Sequence, residues 1–496
     1  MIISKKIGLY GLGLVMAAAL PLAGCSDGTE QEAAPVPSSG SAAPQASGAA
    51  AANELKPVKL IWYQRNAEPK NVQSVMKKAN EIIQQKINAT LEFRFINPGD
   101  YDSKMQLIMS SAEEYDIAFT SSWANNYLNN VSKGAYLPLD EIIGKYPKLQ
   151  ALFTKEIWDA VRVNGKIYGV PNNQIMADQQ GLWFKKDLAD KYKLDVANIK
   201  SWEDMTPILQ KIKDNEPGVN PIRSGPKSLF EEYQPAVEDF HVDTKTWKVH
   251  YQPEEQLDRY KLMRDWNQKG FFPQDVATLK DEASLIKAGK IFSRFSRYKP
   301  GGEAEFKQLN GFEPIMISTG PAVIQRGGVL STLNAVSATS KNPERAVMLI
   351  NLINTDKELF NLLKFGIEGQ DYVKTGENRI EKKPDTYLLA GWMFGNEFLS
   401  YLVPGQPDDV WEQTRKMNET AAVDPMISFS FDRKAVENEI AQLSAVTKEY
   451  EPILLNGLDD PEKMLKAFME KRKAAGHDKV LAEIQRQVDE WRKTQK

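Results

Sequence analysis

VKLIW (58–62), NVQSVMKKANEIIQQKI (71–87), TLEFRFI (90–96) and YDIAFT (115–120) decide the architecture, because they alternate between two hydrophobic periods. The first is a short β-like run. In the second, Val72, Val75, Met76, Ala79, Ile82, Ile83 and Ile87 recur at helical spacing and share one face. The third alternates apolar and polar side chains as a half-buried strand does. Residues 102–111 read as a second helix and 115–120 as a further strand. Strand, helix, strand, helix, strand predicts a parallel sheet with helices on its faces, an α/β fold. Ligands of such sheets sit beyond the carboxyl ends of the strands. That rule selects Trp62, Tyr63 and Glu68 after the first strand, and Ser121, Ser122 and Trp123 after YDIAFT.

Outward from this block the pattern continues. NGKIYGVP (164–171) is a turn and a strand stopped by Pro171, and GLWF (181–184) opens a new strand before a helix over 185–192. GVLSTLNAVS (328–337) is strand-like. It is followed by a periodic helix from Ala346 to Leu363, with Asn342 as cap and Pro343 at the first helical position. About 440 residues follow from Leu55 onward, too many for one compact core, so two lobes are expected. The body shows no internal repeat and no low-complexity stretch.

The first 25 residues read as an address. Lys5 and Lys6 precede an apolar run, Ile7–Leu20, of 14 residues. That is short of the roughly 20 residues needed to cross a bilayer. The basic, apolar, small-residue order reads as a signal peptide over 1–24. Leu22-Ala23-Gly24-Cys25 is similar to the lipobox of bacterial lipoproteins, and Cys25 is the single cysteine of 496 residues. Lipidation of Cys25 is therefore expected, whereas a disulfide or a cysteine-rich metal site is not. Residues 25–54 carry this cysteine and a stretch rich in Ala, Ser, Pro and Gly. Without a large apolar side chain it cannot offset its chain entropy, and reads as a disordered tether spanning roughly 25–30 Å.

Composition and side-chain chemistry narrow the function. Beyond the signal, 61 basic residues face 66 acidic ones, leaving no basic stripe for nucleic acid. The three histidines, His241, His250 and His477, have no metal-ligand spacing, and His477 falls at a helix boundary. No Walker loop occurs. Acidic pairs such as Glu113-Glu114 and Asp459-Asp460 suit solvated faces and helix starts better than a glycosidase dyad. No enzyme, cofactor or metal is expected. The chain has 10 Trp, 17 Tyr and 20 Phe, and indoles in loops suit the flat apolar faces of sugars.

Five motifs in order now resemble one family. They are YDIAFTSSW with KGAYLPLDEII (115–123, 133–143), NGKIYGVP with GLWFKKDLADKY, SWEDMTPILQKIK (201–213), AGKIFSRF (288–295) with a downstream PGG, and SATSKNPERAVMLINLINTDKEL (337–359). The resemblance is to the extracellular solute-binding proteins of ABC importers, in the maltose-binding-like group. FGIEGQDYV, WMFGNEF and AGHDKVLAEIQRQVDEW resemble a lipoprotein subgroup (LipO-like) with an extra C-terminal domain.

The resemblance implies a two-lobe periplasmic-binding-protein-like fold (type II), each lobe a mixed sheet flanked by helices and discontinuous in sequence. Lobe 1 would comprise 55–172 and 328–390. Lobe 2 would comprise 176–325 and 391–496, with a C-terminal helical extension whose stripe Leu481, Ile484, Val488 and Trp491 packs on it. Crossings are expected near 171–178, near 323–330 and between Glu377 and Asn396. They bring Asn172, Asn173, Asp178, Trp392 and Asn396 to the cleft, with Arg294 and Arg297 following AGKIF. Carboxylates, amides and indoles suit a neutral, hydroxyl-rich solute, an oligosaccharide, whereas the two arginines would also suit an anion. The implied role is a monomeric receptor, lipid-anchored outside the cell membrane, that delivers its solute to an ABC permease. The alternative is a sensing or interaction lipoprotein of the same fold.

Overall fold

The computed structural model describes residues 55–225, 234–279 and 281–495. The signal segment, Cys25 and the tether, all expected within 1–54, lie outside the described residues. The described chain opens with β1 (Val58–Gln64), α1 (Val72–Ile87), β2 (Ala89–Phe95), α2 (Tyr101–Ser110) and β3 (Ile117–Thr120). There follow β4 (Gly169–Pro171), β5 (Ala177–Asp178), β6 (Gln180–Lys185), β7 (Asn220–Ile222) and β8 (Ile291–Arg297). Next come β9 (Pro314–Ser318), β10 (Val323–Ile324), β11 (Leu333–Val336) and β12 (Ala422–Val423). Three helices close the chain: α3 (Glu437–Leu455), α4 (Pro461–Ala474) and α5 (His477–Thr494).

Two mixed sheets organise the α/β fold, each discontinuous in sequence. The first has the order β2-β1-β3-β11-β4, in which β1 runs parallel to β2 and β3 while β11 is antiparallel to β3 and β4. Helix α1 covers it by burying Val72, Val75, Ala79, Ile83 and Ile87, the apolar stripe of its sequence. The second sheet has the order β9-β6-β8-β7. Its core gathers Leu182, Phe184, Trp202, Leu209, Trp266 and Phe292.

Between the sheets the chain passes three times, and the passing strands form a small sheet, β12-β10-β5. Strand β5 carries the chain from the first sheet to the second, and β10 carries it back. The stretch Glu377–Asn396, where the last crossing is expected, contributes no strand to this small sheet. Strand pairing there is a local hairpin, Tyr372–Gly376 with Arg379–Lys382. Tyr387, Leu389 and Phe394 share the core of Leu60 and Trp62, and Leu399 and Met417 pack on the same core. The third passage is β12, at Ala422–Val423.

Helices α3 to α5 pack with the three-stranded sheet of residues 236–250 around Phe240, Tyr251, Phe468, Val480, Ile484 and Val488. Two glycines let this layer approach the second lobe. A Cβ on Gly225 would stand 1.7 Å from the Leu455 carbonyl oxygen, and one on Gly457, at φ 57, 2.4 Å from that of Met263. At the centre lies fully buried Arg472. It donates to Asp239 (2.6 Å) and Thr447 (2.7 Å), reaches Nδ1 of His477 (3.3 Å) and stacks 3.8 Å above the Tyr251 ring. His477 is thus buried, although its helix-boundary position reads as a surface cap.

Burial, reinforced by Arg472, holds the His477 pKa below its usual value, with Asp478 and Asp239 opposing and Lys473 adding to the shift. Burial does the same to His241, helped by His250. The unfolded chain, whose histidines titrate near 6.5, then binds more protons in mild acid. Their contribution is complete above about pH 6.5 and is lost as pH falls through the depressed folded values. The thermal midpoint should drop from pH 7 to pH 5, and His241→Asn combined with His477→Asn should flatten that drop. An unchanged slope in the double variant would remove these histidines as its cause.

Candidate functional site

Strand β1 is two residues longer than VKLIW, because Tyr63 and Gln64 stay in register with Arg94 and Phe95. Its carboxyl end is therefore Gln64, and the loop that leaves it begins with Arg65 and Asn66. Strand β8 likewise continues to Arg297, so its exit is residues 298–301. These two exits, with the passage before β5 and the segment 388–414, line a cleft of 630 Å³. Asn66, Gln174 and Trp392 line it together with Lys299, Gly301 and Glu305.

From Trp392 the aromatic surface continues beyond this cleft to Trp123, which lines a smaller neighbouring hollow with Asp102 and Asn126. The Trp123 and Trp392 rings lie 6.3 Å apart at 42°, and Phe119 packs beneath both at 6.0 Å. Trp123 is 49% exposed, yet its indole N–H donates to the Ser331 carbonyl (2.9 Å), which fixes the ring. The Arg65 guanidinium lies 4.7 Å over that ring. Further along, Tyr401 and Trp411 line the wall, the latter held by its N–H on the Ser400 carbonyl (3.0 Å). Between them Lys364 pairs with Glu397 at 2.5 Å and bonds Ser400 at 2.8 Å. The arrangement offers flat apolar surfaces rimmed by polar groups, which suits a ring with an apolar face and a hydroxyl edge.

Of the residues selected from sequence, the structure brings Trp123 and Trp392 together in this wall. Glu68 is exposed in the loop beyond Asn66. Trp62 is fully buried mid-strand against Phe93, with rings 5.6 Å apart. Tyr63 faces the opposite side, where its hydroxyl donates to Glu113 (2.7 Å) and accepts from Arg94 (3.0 Å). Ser121 is buried and shapes the turn that presents Trp123, its Oγ accepting from the Ala124 N–H (2.7 Å); Ser122 beside it is exposed.

The crossing residues act within the protein. Buried Asn172 accepts from Asn334 (2.7 Å), Asn173 pairs by backbone with residues 395 and 397, and Asn396 caps a turn through the Phe398 N–H (3.1 Å). Asp178 accepts from Gln325 (2.9 Å) and Arg297 (3.1 Å), and Arg294 pairs with Glu282 (2.7 Å). Both arginines thus have acidic partners, Arg294 sharing Glu282 with Arg223 (2.9 Å). Sequence reasoning missed Arg65, Lys364, Glu397, Tyr401 and Trp411. The available signal was the recurrence of Trp392, Tyr401 and Trp411 in a stretch punctuated by Gly391, Gly395, Pro404 and Gly405. Among the described residues, no cluster of three His, Cys, Asp or Glu could hold a metal ion.

Residues 67–358 match the family described as bacterial extracellular solute-binding proteins, and residues 425–493 match a domain of unknown function. A carbohydrate ABC transporter substrate-binding protein of Streptococcus pneumoniae is 32% identical over 464 residues, 89% of this chain and 92% of its own. The crystal structure of the N-glycan transport solute binding protein of the same organism has 30% identity and a TM-score of 0.81, covering 89% of this chain and all of that one. The score is 0.68, at 30% identity and the same coverage, for that protein in complex with Man5GlcNAc.

The Lys364–Glu397 pair keeps only 15% and 10% of its side-chain surface exposed. Glu397→Gln should lower stability to urea by about 3 kcal/mol, since it strands a mostly buried ammonium. Lys364→Met with Glu397→Met should recover most of that loss. Equal losses in the two variants would show that the pair is held by its surroundings rather than by charge.

Proposed function

The chain belongs to the family of bacterial extracellular solute-binding proteins, and from that premise we propose that its cleft captures an oligosaccharide and delivers it to an ABC permease. The family is one of non-catalytic transport proteins, so the chain is not an enzyme. The observation that carries the sugar assignment is the indole pair Trp123 and Trp392, the latter lining a cleft whose Lys299 and Lys364 already have acidic partners. The Streptococcus pneumoniae relatives support it by what they are named for, carbohydrate and N-glycan transport. A mannose-containing glycan with a GlcNAc end is the class we favour.

Capture works by bringing the two lobes together about the strands β5, β10 and β12. Closure would carry Lys299 and Glu305 towards the Trp392 side and expel water from the stacked rings. A permease would read the changed lobe surface, because only a difference between open and closed forms can couple binding to transport. The lower TM-score against the glycan complex supports such a rearrangement, since the relative overlays less well when it holds Man5GlcNAc. Cys25 would carry the lipid that keeps the receptor at the outer face of the cell membrane, with residues 26–54 as tether.

Calorimetric titration of residues 53–496 should give a dissociation constant for Man5GlcNAc or a related glycan, and none for peptides or anionic metabolites. Trp123→Ala and Trp392→Ala should each weaken binding about tenfold. Binding of a peptide or anion alone would sink the sugar assignment and leave the receptor. Separately, cells fed an alkyne-tagged palmitate should label the full chain at Cys25, and Cys25→Ser should lose the label. Persistent labelling of Cys25→Ser would refute the anchor.

A further inference from the structure

Beneath Trp392 the first sheet carries a row of buried carboxamides that stacking alone does not call for. Tyr63, Ala118 and Ala335 pair across β1, β3 and β11, which sets Gln64, Phe119 and Asn334 in the next row. Phe119 supports both tryptophans. Asn334, almost fully buried, donates through Nδ2 to Asn172 Oδ1 (2.7 Å) and to the carbonyl of Met393 (3.1 Å), the residue after Trp392.

The segment behind Met393 is tied down by three more asparagine contacts. The Asn173 N–H donates to the Gly395 carbonyl (3.0 Å), and the Glu397 N–H donates to the Asn173 carbonyl (2.8 Å). Asn396 Nδ2 donates to the Asn354 carbonyl (3.0 Å). Trp392 sits in the single turn Gly391–Met393, closed by the Met393 N–H on the Ala390 carbonyl (3.0 Å) and the Phe394 N–H on that of Gly391 (3.1 Å), so a hold on the Met393 carbonyl acts on the turn that carries the ring. In the same layer, Asn172 Nδ2, Asn334 Oδ1 and both amide atoms of Gln64 have no partner. Unpaired buried amides destabilise a core, so packing alone would favour apolar side chains here. What the apolar side chains could not supply is the bond to Met393.

We propose that Asn334 is a positioning residue, whose carboxamide, oriented by Asn172, fixes the Met393 carbonyl and thereby sets the Trp392 ring for ligand stacking. The proposal rests on Trp392 being a ligand-stacking wall, but its first test needs no ligand. Protein labelled with 5-fluorotryptophan gives one fluorine resonance per indole, and Trp392→Phe identifies that of Trp392. In Asn334→Leu the Trp392 resonance should shift or broaden, whereas that of Trp183, buried in the second sheet, stays in place. If Asn334→Leu does not fold, Asn172→Ala removes the brace from the other side and should give the same pattern.

An unmoved Trp392 resonance in the folded variant overturns the proposal. With Man5GlcNAc as probe, Asn334→Leu should weaken binding about tenfold in the native background and not further in Trp392→Ala. Additive losses would mean that Asn334 acts elsewhere, which also overturns the proposal. If Trp392→Ala leaves binding intact, it is the stacking role of Trp392 that fails, and the fluorine spectra still decide whether Asn334 positions the ring.

Discussion

One guanidinium holds the junction of the molecule together. Arg326 follows β10 directly and donates to three backbone carbonyls, those of Ala160 (2.9 Å), Arg162 (3.0 Å) and Phe429 (2.6 Å). These belong to the first lobe and to the start of the C-terminal domain, so a single side chain fixes where the second and third passages lie against the body. Burial disfavours its charge and lowers its pKa, though arginine keeps its proton, and the carbonyls replace the water it gives up. Asn418 does a similar service for the first passage. Its Oδ1 accepts from the N–H groups of Met176 and Ala177, and its Nδ2 donates to the Gln174 carbonyl. These contacts hold the body on either side of the short crossing strands β5, β10 and β12.

The sheet framework was legible because its information is local. The helix over 71–87 and the strand over 90–96 announce themselves by period, and both stand where the sequence places them. Of the two indoles in the candidate wall, Trp123 was readable because a strand ends just before it, and Trp392 only through the family resemblance. Trp62 and Trp392 have the same chemistry and opposite fates. Strand pairing with Phe93 continues two residues past Trp62 and seals it in the core, and nothing in VKLIW says where that pairing stops. Trp392 lies outside any strand, and its place is set by Asn172 and Asn334, some 220 and 58 residues away in sequence. Segment 364–414 was opaque for the same reason: it is organised by contacts to the first lobe rather than by any periodicity of its own.

Charge in the cleft follows a consistent plan. Lys364 is matched by Glu397, Lys299 by Glu305, Arg297 by Asp178, and Arg294 with Arg223 by Glu282. The pairs that line the cleft, Lys364–Glu397 and Lys299–Glu305, cancel, whereas Arg223 and Arg294 share one carboxylate and the Arg65 guanidinium lies over the Trp123 ring. Most of these pairs are partly exposed and contribute little to stability individually. Their effect is to hold long side chains in one orientation, which lowers the ordering cost when a solute arrives.

The C-terminal domain packs closely on the elements around Met263 and Arg264. Gly225 and Gly457 permit backbone-to-backbone approach, and Arg264 bonds the Gly457 carbonyl at 2.8 Å, so the turn after α3 cannot slide over Met263 without large displacement. At its other boundary the domain begins at β12 and Phe429, where β10 and Arg326 hold it. The domain is thus fastened both beside Met263 and at the crossing strands. The buried Arg472 cluster stiffens it from within: a fully enclosed guanidinium bonded to Asp239 and Thr447 resists shear in a way that aliphatic packing alone does not.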